Sequence, residues 1–488
     1  LAIAFLFFFI VTLNALVCRF RRSWSLSAGE LGVVLALALI ATPMSRYFAS
    51  SWVSTVGFTN SLVDARNTRI ATVVRTDIFH ALPAQALLDA GQSRQFDEGL
   101  AKNVGAMARL SDIPWKVWLQ PALFWAPLLL SFLVLSVSMG YVLYRQWAEH
   151  ELVPFPLAEI GVSMLRHDEK GVFPDIFYRR SFWIGLGIMV VIFAVNGIRA
   201  HFPNMIEIPT KFQFYELAEQ FPFLKNSHEG YSLLRGWMFF AVVAVAVLLP
   251  SELSFTAWFT WPIMVCCTYF YYIQTGQRFS SNVGMVQIGS FWAMACVILY
   301  AGRVYYLGLV RRALGWGRGG QATSGIDTQS VWICRVFLLA VIAFVVVLWS
   351  YGIPLDLAVV WTLVLLIMFL VVCRLVAEMG IPWTPLGASG PLPTMLAMLG
   401  EKTLGAKAYA LLAIFGSVTV PHKTTMLLIP PVVANAAHVE SRLTRRLVTP
   451  KIIVPFLLVI LALSAAIAIW IGYSSEGTAN DYPFSHLV

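Results

Sequence analysis

Residues 354–398 run PLDLAVVWTLVLLIMFLVVCRLVAEMGIPWTPLGASGPLPTMLAM. The first twenty carry one charge, Asp356, before the chain reaches Arg374 and Glu378. At 1.5 Å per residue such a run makes a helix of about 30 Å, the thickness of a bilayer's hydrocarbon core. Gly380, Pro382, Pro385, Gly387, Gly390, Pro391 and Pro393 then crowd into fourteen residues. Proline removes a backbone donor and bends the chain, and freed backbone groups cannot be left in lipid. The break is therefore either a surface loop or an irregular segment buried in protein or lining a watery cavity.

The windows around this stretch set the fold class. Apolar residues make up 59% of the chain and charged residues 12%, with mean hydropathy +0.75. A soluble domain has about 45–50% and about 25%. Apolar windows occupy about 1–18, 29–44, 117–144, 181–198, 236–250, 254–273, 285–309, 331–350, 354–373, 407–437 and 452–473. The expected fold is all-α, a polytopic transmembrane helical bundle of about eleven or twelve membrane elements, some broken or re-entrant. The 407–437 window is interrupted by Pro421, His422, Lys423, Pro430 and Pro431, so it predicts two short helices or a re-entrant hairpin. The first residues are already apolar with no basic start or cleavage site, which predicts that the numbered chain is N-terminally incomplete.

Basic residues cluster at the window ends. Arg19, Arg21 and Arg22 follow the first window, and Arg166, Lys170, Arg179 and Arg180 separate the third and fourth. Arg311, Arg312 and Arg318 follow the seventh, and Arg442, Arg445, Arg446 and Lys451 precede the last. Alternating crossings place all four clusters on one side, provided 407–437 crosses twice or turns back, and that side is expected to be cytoplasmic. The net charge of +9 therefore belongs to topology, and no nucleic acid is expected as a partner. Segments 45–116 and 199–235 fall on the other side, the first as a small extracytoplasmic helical cap and the second as a loop. The whole of 1–488 is expected to form a single membrane domain. Tyr144–Leu165, with Arg145, Glu149, Glu151, Pro154 and Pro156, predicts an elbow rather than a span.

Enzyme patterns are missing: His150-Glu151 lacks a second histidine four residues on, and "GASGP" is not a nucleophile elbow. None of the six cysteines makes a C-x-x-C pair, so no metal and no cofactor are expected. What remains is the set of ionisable groups near membrane depth, costly there unless solvated or partnered. Glu252 follows Pro250 between two short windows, and is either a first-turn acid at a surface turn or a cavity-facing carboxylate in a broken helix. Glu378 stands four residues from Arg374, the spacing of an ion pair on one helix face. Alternatively it stands at the mouth of a polar cavity lined by Gly380, Pro382, Gly387 and Gly390, where burial would raise its pKa. The second break supplies His422 and Lys423. Interrupted helices of this kind are where secondary transporters hold substrates and coupling ions.

Three motifs, "YRQWAEHELVPFPLAEIGVSML" (144–165), "LLPSELSFTAWFTWPI" (248–263) and "CRLVAEMGIPW" (373–383), resemble a group of uncharacterised bacterial membrane proteins. That group is itself distantly similar to the oligopeptide transporter superfamily. The resemblance runs in order from "SLSAGELGVVLALALIATP" near the start to the Arg-rich segment near 442. It implies an all-helical multi-pass protein of the bacterial inner membrane and proton-coupled uptake of peptides or metal chelates. The expected function is thus secondary transport of a small solute, with membrane lipids, the solute and a homo-oligomer or larger membrane complex as partners. The competing expectation is a non-transporting structural or accessory subunit, supported by 17 Trp, 16 Tyr and 34 Phe able to build interfaces.

Overall fold

The computed structural model describes residues 2–21, 24–44, 49–64, 83–100, 108–165, 174–202, 204–227, 230–279, 283–316, 326–380, 390–420, 428–443 and 450–474. Helices α1 (Ala2–Phe20), α2 (Ala28–Pro43), α3 (Ser50–Asp64) and α4 (Ala90–Glu98) precede the long α5 (Trp115–Arg145). A π-helical turn, Gln146–His150, prolongs α5, and an elbow leads into α6 (Pro156–Leu165). After α7 (Arg180–His201) comes an antiparallel pair, β1 (Lys211–Gln213) and β2 (Arg235–Trp237), with Phe212 opposite Gly236. The chain continues through α8 (Phe240–Leu248), α9 (Ser251–Thr275), α10 (Val283–Ala301), α11 (Arg303–Ala313), α12 (Thr328–Ser350) and α13 (Leu355–Met379). It finishes with α14 (Pro391–Leu399), α15 (Ala406–Thr419), α16 (Ile429–Leu443) and α17 (Pro450–Ser474).

Local chemistry fixes several ends. Ser27 and Glu30 close a capping box on α2, with the Glu30 carboxylate accepting the Ser27 N–H at 2.7 Å. Asp327 caps α12 by accepting the Ser330 N–H at 2.8 Å. Gly380 ends α13 at φ +64°, a left-handed conformation that glycine adopts without a Cβ penalty.

Among the described residues, seven helices are long and apolar enough to cross a membrane: α5 with its π turn, α7, α9, α10, α12, α13 and α17. Four shorter apolar helices, Phe7–Phe20 of α1, α2, α6 and Lys407–Thr419 of α15, accompany them. The chain is thus a largely helical protein with several candidate spans, and the expectation of about eleven or twelve membrane elements goes further than these helices do.

One apolar core joins α2, α3, α5, α6, α12, α13, α15, α16 and α17. Phe132 of α5 meets both Phe344 of α12 and Phe369 of α13. The bundle has two chemically distinct ends. At one, Arg145 reaches Asp327 at 2.7 Å, Arg312 donates to the Ile326 carbonyl at 2.8 Å, and Tyr144 meets Ser441 at 2.6 Å. At the other, Tyr351 stacks on Phe124 with centroids 4.6 Å apart, and Tyr473 accepts from Trp118 at 3.4 Å. Residues 83–100 and 108–114 pack at this second end: Trp125 donates to the Ala86 carbonyl at 3.0 Å, and the Leu100 N–H reaches the Tyr473 carbonyl at 2.8 Å. In the 199–235 segment, Ala218, Leu224 and Leu234 bury against Val265 of α9.

Helix α3 lies inside the 45–116 segment read as an insertion, yet it packs along the bundle. Its Thr55 hydroxyl is 3.2 Å from that of Ser417 on α15.

Candidate functional site

Gly380 lies at the arginine end, where a Cβ would meet Pro156 at 2.8 Å. Lys407, at the start of α15, lies at the opposite end, its ammonium 4.0 Å from where a Cβ on Gly352 would sit. Between those ends runs the 25-residue α13, about 37 Å at 1.5 Å per residue. The chain between Gly380 and Lys407 must therefore traverse the bundle, and among its described residues it does so with α14 and the one-turn helix Glu401–Leu404.

The return path is interrupted as well. Helix α15 starts beside Gly352, passes Tyr351 with its Phe415 ring 5.5 Å away, and ends at Val420 with non-helical φ −139° and ψ 69°. Helix α16 begins with Ile429 and the pair Pro430-Pro431, and leaves at the arginine end, where Leu443 abuts Gly32 of α2. Every residue from Ile429 to Glu440 is buried. The proline pair starts a helix well, because the first N–H groups have no intrahelical partner anyway. Helix α15 thus starts at the second end and α16 leaves at the arginine end, while residues 421–427 between them lie outside the described residues.

The contacts along α5 place the interruption in depth. Trp125 meets Phe415 of α15 edge-on at 5.4 Å, whereas a Cβ on Gly140 would touch the Pro430 carbonyl of α16 at 2.7 Å. Ser136 stands between these two levels, and its hydroxyl is wholly buried with no hydrogen-bond partner among the described residues. Asn435 of α16 is also fully buried and donates to the Pro431 carbonyl at 2.9 Å, while its Oδ1 has no partner among the described residues. A buried polar atom without a partner costs about 1–3 kcal/mol and marks where water or a solute would be welcome.

At the arginine end the charges form two clusters. Arg374 donates from Nε to Glu378 at 2.6 Å and from Nη1 to Glu151, and its guanidinium lies 5.4 Å from the Trp147 ring centroid. Gln146 holds the other Glu151 oxygen at 2.9 Å. One cation thus serves two carboxylates, with the arginine side chain 16% and each glutamate 21% exposed. In the second cluster Glu159 Oε1 lies 3.0 Å from His438 and 3.2 Å from Arg442. Phe155, fully buried, stacks on His438 at 4.8 Å and so separates the clusters. The elbow that carries it contains two non-glycine residues with positive φ, Leu152 (+52°) and Phe155 (+45°). Such angles cost free energy and persist where surrounding contacts enforce them. Here the Phe155 N–H is fixed on the Ala377 carbonyl at 3.0 Å.

Of the sequence candidates, Glu378 and Gly380 therefore stand at the charged end, and Gly390 is the residue before α14. Glu252 is exposed in the first turn of α9, away from both clusters. Pro382, Gly387, His422 and Lys423 lie outside the described residues. Sequence reasoning did not pair Glu151 or Glu159 with α13 or α16. The signal available was two acids flanking the Pro154/Pro156 pair in "EHELVPFPLAEI". Among the described residues no group of histidine, cysteine or acidic side chains could hold a metal ion.

A family model described as a family of unknown function, DUF6785, matches residues 1–485, and the chain belongs to that family. No curated protein and no solved structure matches it.

Proposed function

We propose that this member of the family carries a small solute across the bacterial inner membrane by alternating access, with the solute held where the α15–α16 path is interrupted. The observation that carries the reading is that α15 ends at Val420 and α16 starts at Ile429, both buried within one bundle. Helix ends inside a bundle expose unpaired backbone groups and partial charges of about half an electron. Irregular backbone at that depth is tolerated where it is buried in protein or lines a cavity, and carriers use such ends to bind solutes and ions. The orphaned Ser136 hydroxyl and Asn435 carbonyl flank that place.

The two charged clusters then act as the closure of one end. Arg374 ties α13 to the elbow, and Glu159 ties α6 to α16. Opening this end requires those pairs to part. Coupling to a proton gradient rests on the sequence resemblance. Peptides or metal chelates as the solute class rest on the sequence resemblance alone.

The test needs no known solute. In a background lacking the native cysteines, Ser136→Cys and Asn435→Cys are reconstituted in vesicles and exposed to a membrane-impermeant maleimide from each side. The expected result is labelling of both positions, increased from the arginine end when Arg374→Gln is added. Protection of both positions from both sides, with and without that substitution, would mean a dry middle and would sink the carrier reading. A dry middle would favour a non-transporting membrane subunit, for which one observation speaks: the apolar window of α7 has none of its residues buried by this chain.

A further inference from the structure

We infer that the outer face of α5 is a binding site for one anionic phospholipid, independent of the carrier site. Two recesses adjoin along this face. The deeper one, about 540 Å³, lies between α5 and α17 and is bordered by Trp52, Ala122, Pro127, Leu130, Leu458 and Leu461. Its wall is almost wholly apolar. The shallower one, about 510 Å³, is bordered by Gln85, Lys116, Gln120 and the shared Leu123. Lys116, Leu123, Pro127 and Leu130 recur at helical spacing, so both recesses belong to one stripe of α5.

The deeper recess follows from residue size. Ala122 and Ala126 on α5 face Ala462 and Ala465 on α17, so the two helices leave a trough between flanking leucines. Within α5, Pro127 cannot donate to the carbonyl four residues earlier, which loosens the helix at the same level. Nothing polar in the trough would hold water, and its occupant is therefore a hydrocarbon chain.

Length and charge name the rest of the ligand. From Lys116 to Leu130 is fourteen residues, about 21 Å along the helix. One leaflet, with its headgroup layer, is about 20–22 Å thick. A lipid with its chain in the trough would place its phosphate beside Lys116, whose side chain is exposed, and between Gln85 and Gln120. The same place is the first turn of α5, where the helix dipole and the Lys116 ammonium both favour an anion. Trp115, exposed at this level, suits the membrane interface.

The test is native mass spectrometry of the full chain released from micelles containing equal amounts of phosphatidylglycerol and phosphatidylcholine with 16-carbon chains. Wild type should retain one phospholipid, with phosphatidylglycerol preferred about fivefold, the effect of one basic side chain near an anionic surface. Lys116→Gln should abolish the preference while still retaining a lipid, and Lys116→Arg should restore it. Ala126→Trp, which fills the trough from an exposed position, should lose the retained lipid altogether. An undiminished preference in Lys116→Gln, or lipid retention by Ala126→Trp at the wild-type level, would overturn the assignment.

Discussion

Replacing Arg374 by Gln tests whether one cation really serves two carboxylates. The wild-type guanidinium makes two charge-assisted hydrogen bonds, one to Glu378 and one to Glu151. Removing one partner from a buried ion pair costs about 3–5 kcal/mol, because the other charge is left uncompensated. Here two carboxylates are left, but each is 21% exposed, so water recovers part of the loss. The expected destabilisation is about 3 kcal/mol. Glu378→Gln should cost about 1 kcal/mol or less, since Arg374 keeps Glu151 and the amide can still accept a hydrogen bond. Adding Glu151→Gln to Arg374→Gln should recover about 1 kcal/mol by removing one of two like charges that no longer have a cation between them. The assay is unfolding of the purified protein in mixed micelles with increasing denaturing detergent, each variant measured beside wild type. If Glu378→Gln costs as much as Arg374→Gln, the shared cation is not what joins α13 to the elbow.

Three further outcomes follow from close contacts and from one carboxylate. Gly140→Ala places a methyl group 2.7 Å from the Pro430 carbonyl, a backbone atom that cannot rotate away, and should destabilise by about 1–3 kcal/mol in the same assay. Gly380→Ala adds a left-handed backbone penalty to a 2.8 Å contact with Pro156, for a loss of about 2 kcal/mol; wild-type stability would show that α13 does not end against the elbow. Burial pushes the Asp327 carboxyl up, but the Ser330 hydrogen bonds and Arg145 outweigh it and hold it below the usual carboxylate range. A lowered folded pKa gives stability that is present above the unfolded value, about 3.9, and is lost as pH falls through the folded value. Wild type should therefore lose its advantage over Asp327→Asn below about pH 4, seen as converging thermal unfolding curves.

The long apolar helices were legible because a run such as 355–373 admits few other readings. The window predicted at 354–373 starts on the Pro354 cap of α13, which continues through Arg374 and Glu378 to the glycine stop. Helix α3 was hidden because Ser50, Ser51, Ser54, Thr55, Thr59, Asn60 and Ser61 make it too polar for any hydropathy window. Its membership of the bundle depends on contacts such as Thr55 to Ser417, which no local pattern announces. The elbow at Pro154 was readable from its prolines and charges, and the chain does leave the helix there. Its pairings were not, since Glu151 finds Arg374 223 residues away and Glu159 finds His438 279 residues away. For Glu378 the spacing allowed an ion pair or a cavity mouth, and its bond to Arg374 is present. For Glu252 the alternatives were a surface turn or a broken helix, and it stands exposed in the first turn of α9.

The π-helical turn at Gln146–His150 sets the direction in which the elbow leaves. It closes on a bond five residues back, the Glu151 N–H reaching the Gln146 carbonyl at 3.1 Å, so it takes one residue more than an α-turn. Wound as an ordinary α-turn, the same residues would point Glu151 about 100° further around the α5 axis and away from Arg374. The turn therefore absorbs one residue of length. Deleting a residue within it would leave Glu151 facing Arg374, whereas a further insertion would turn it away.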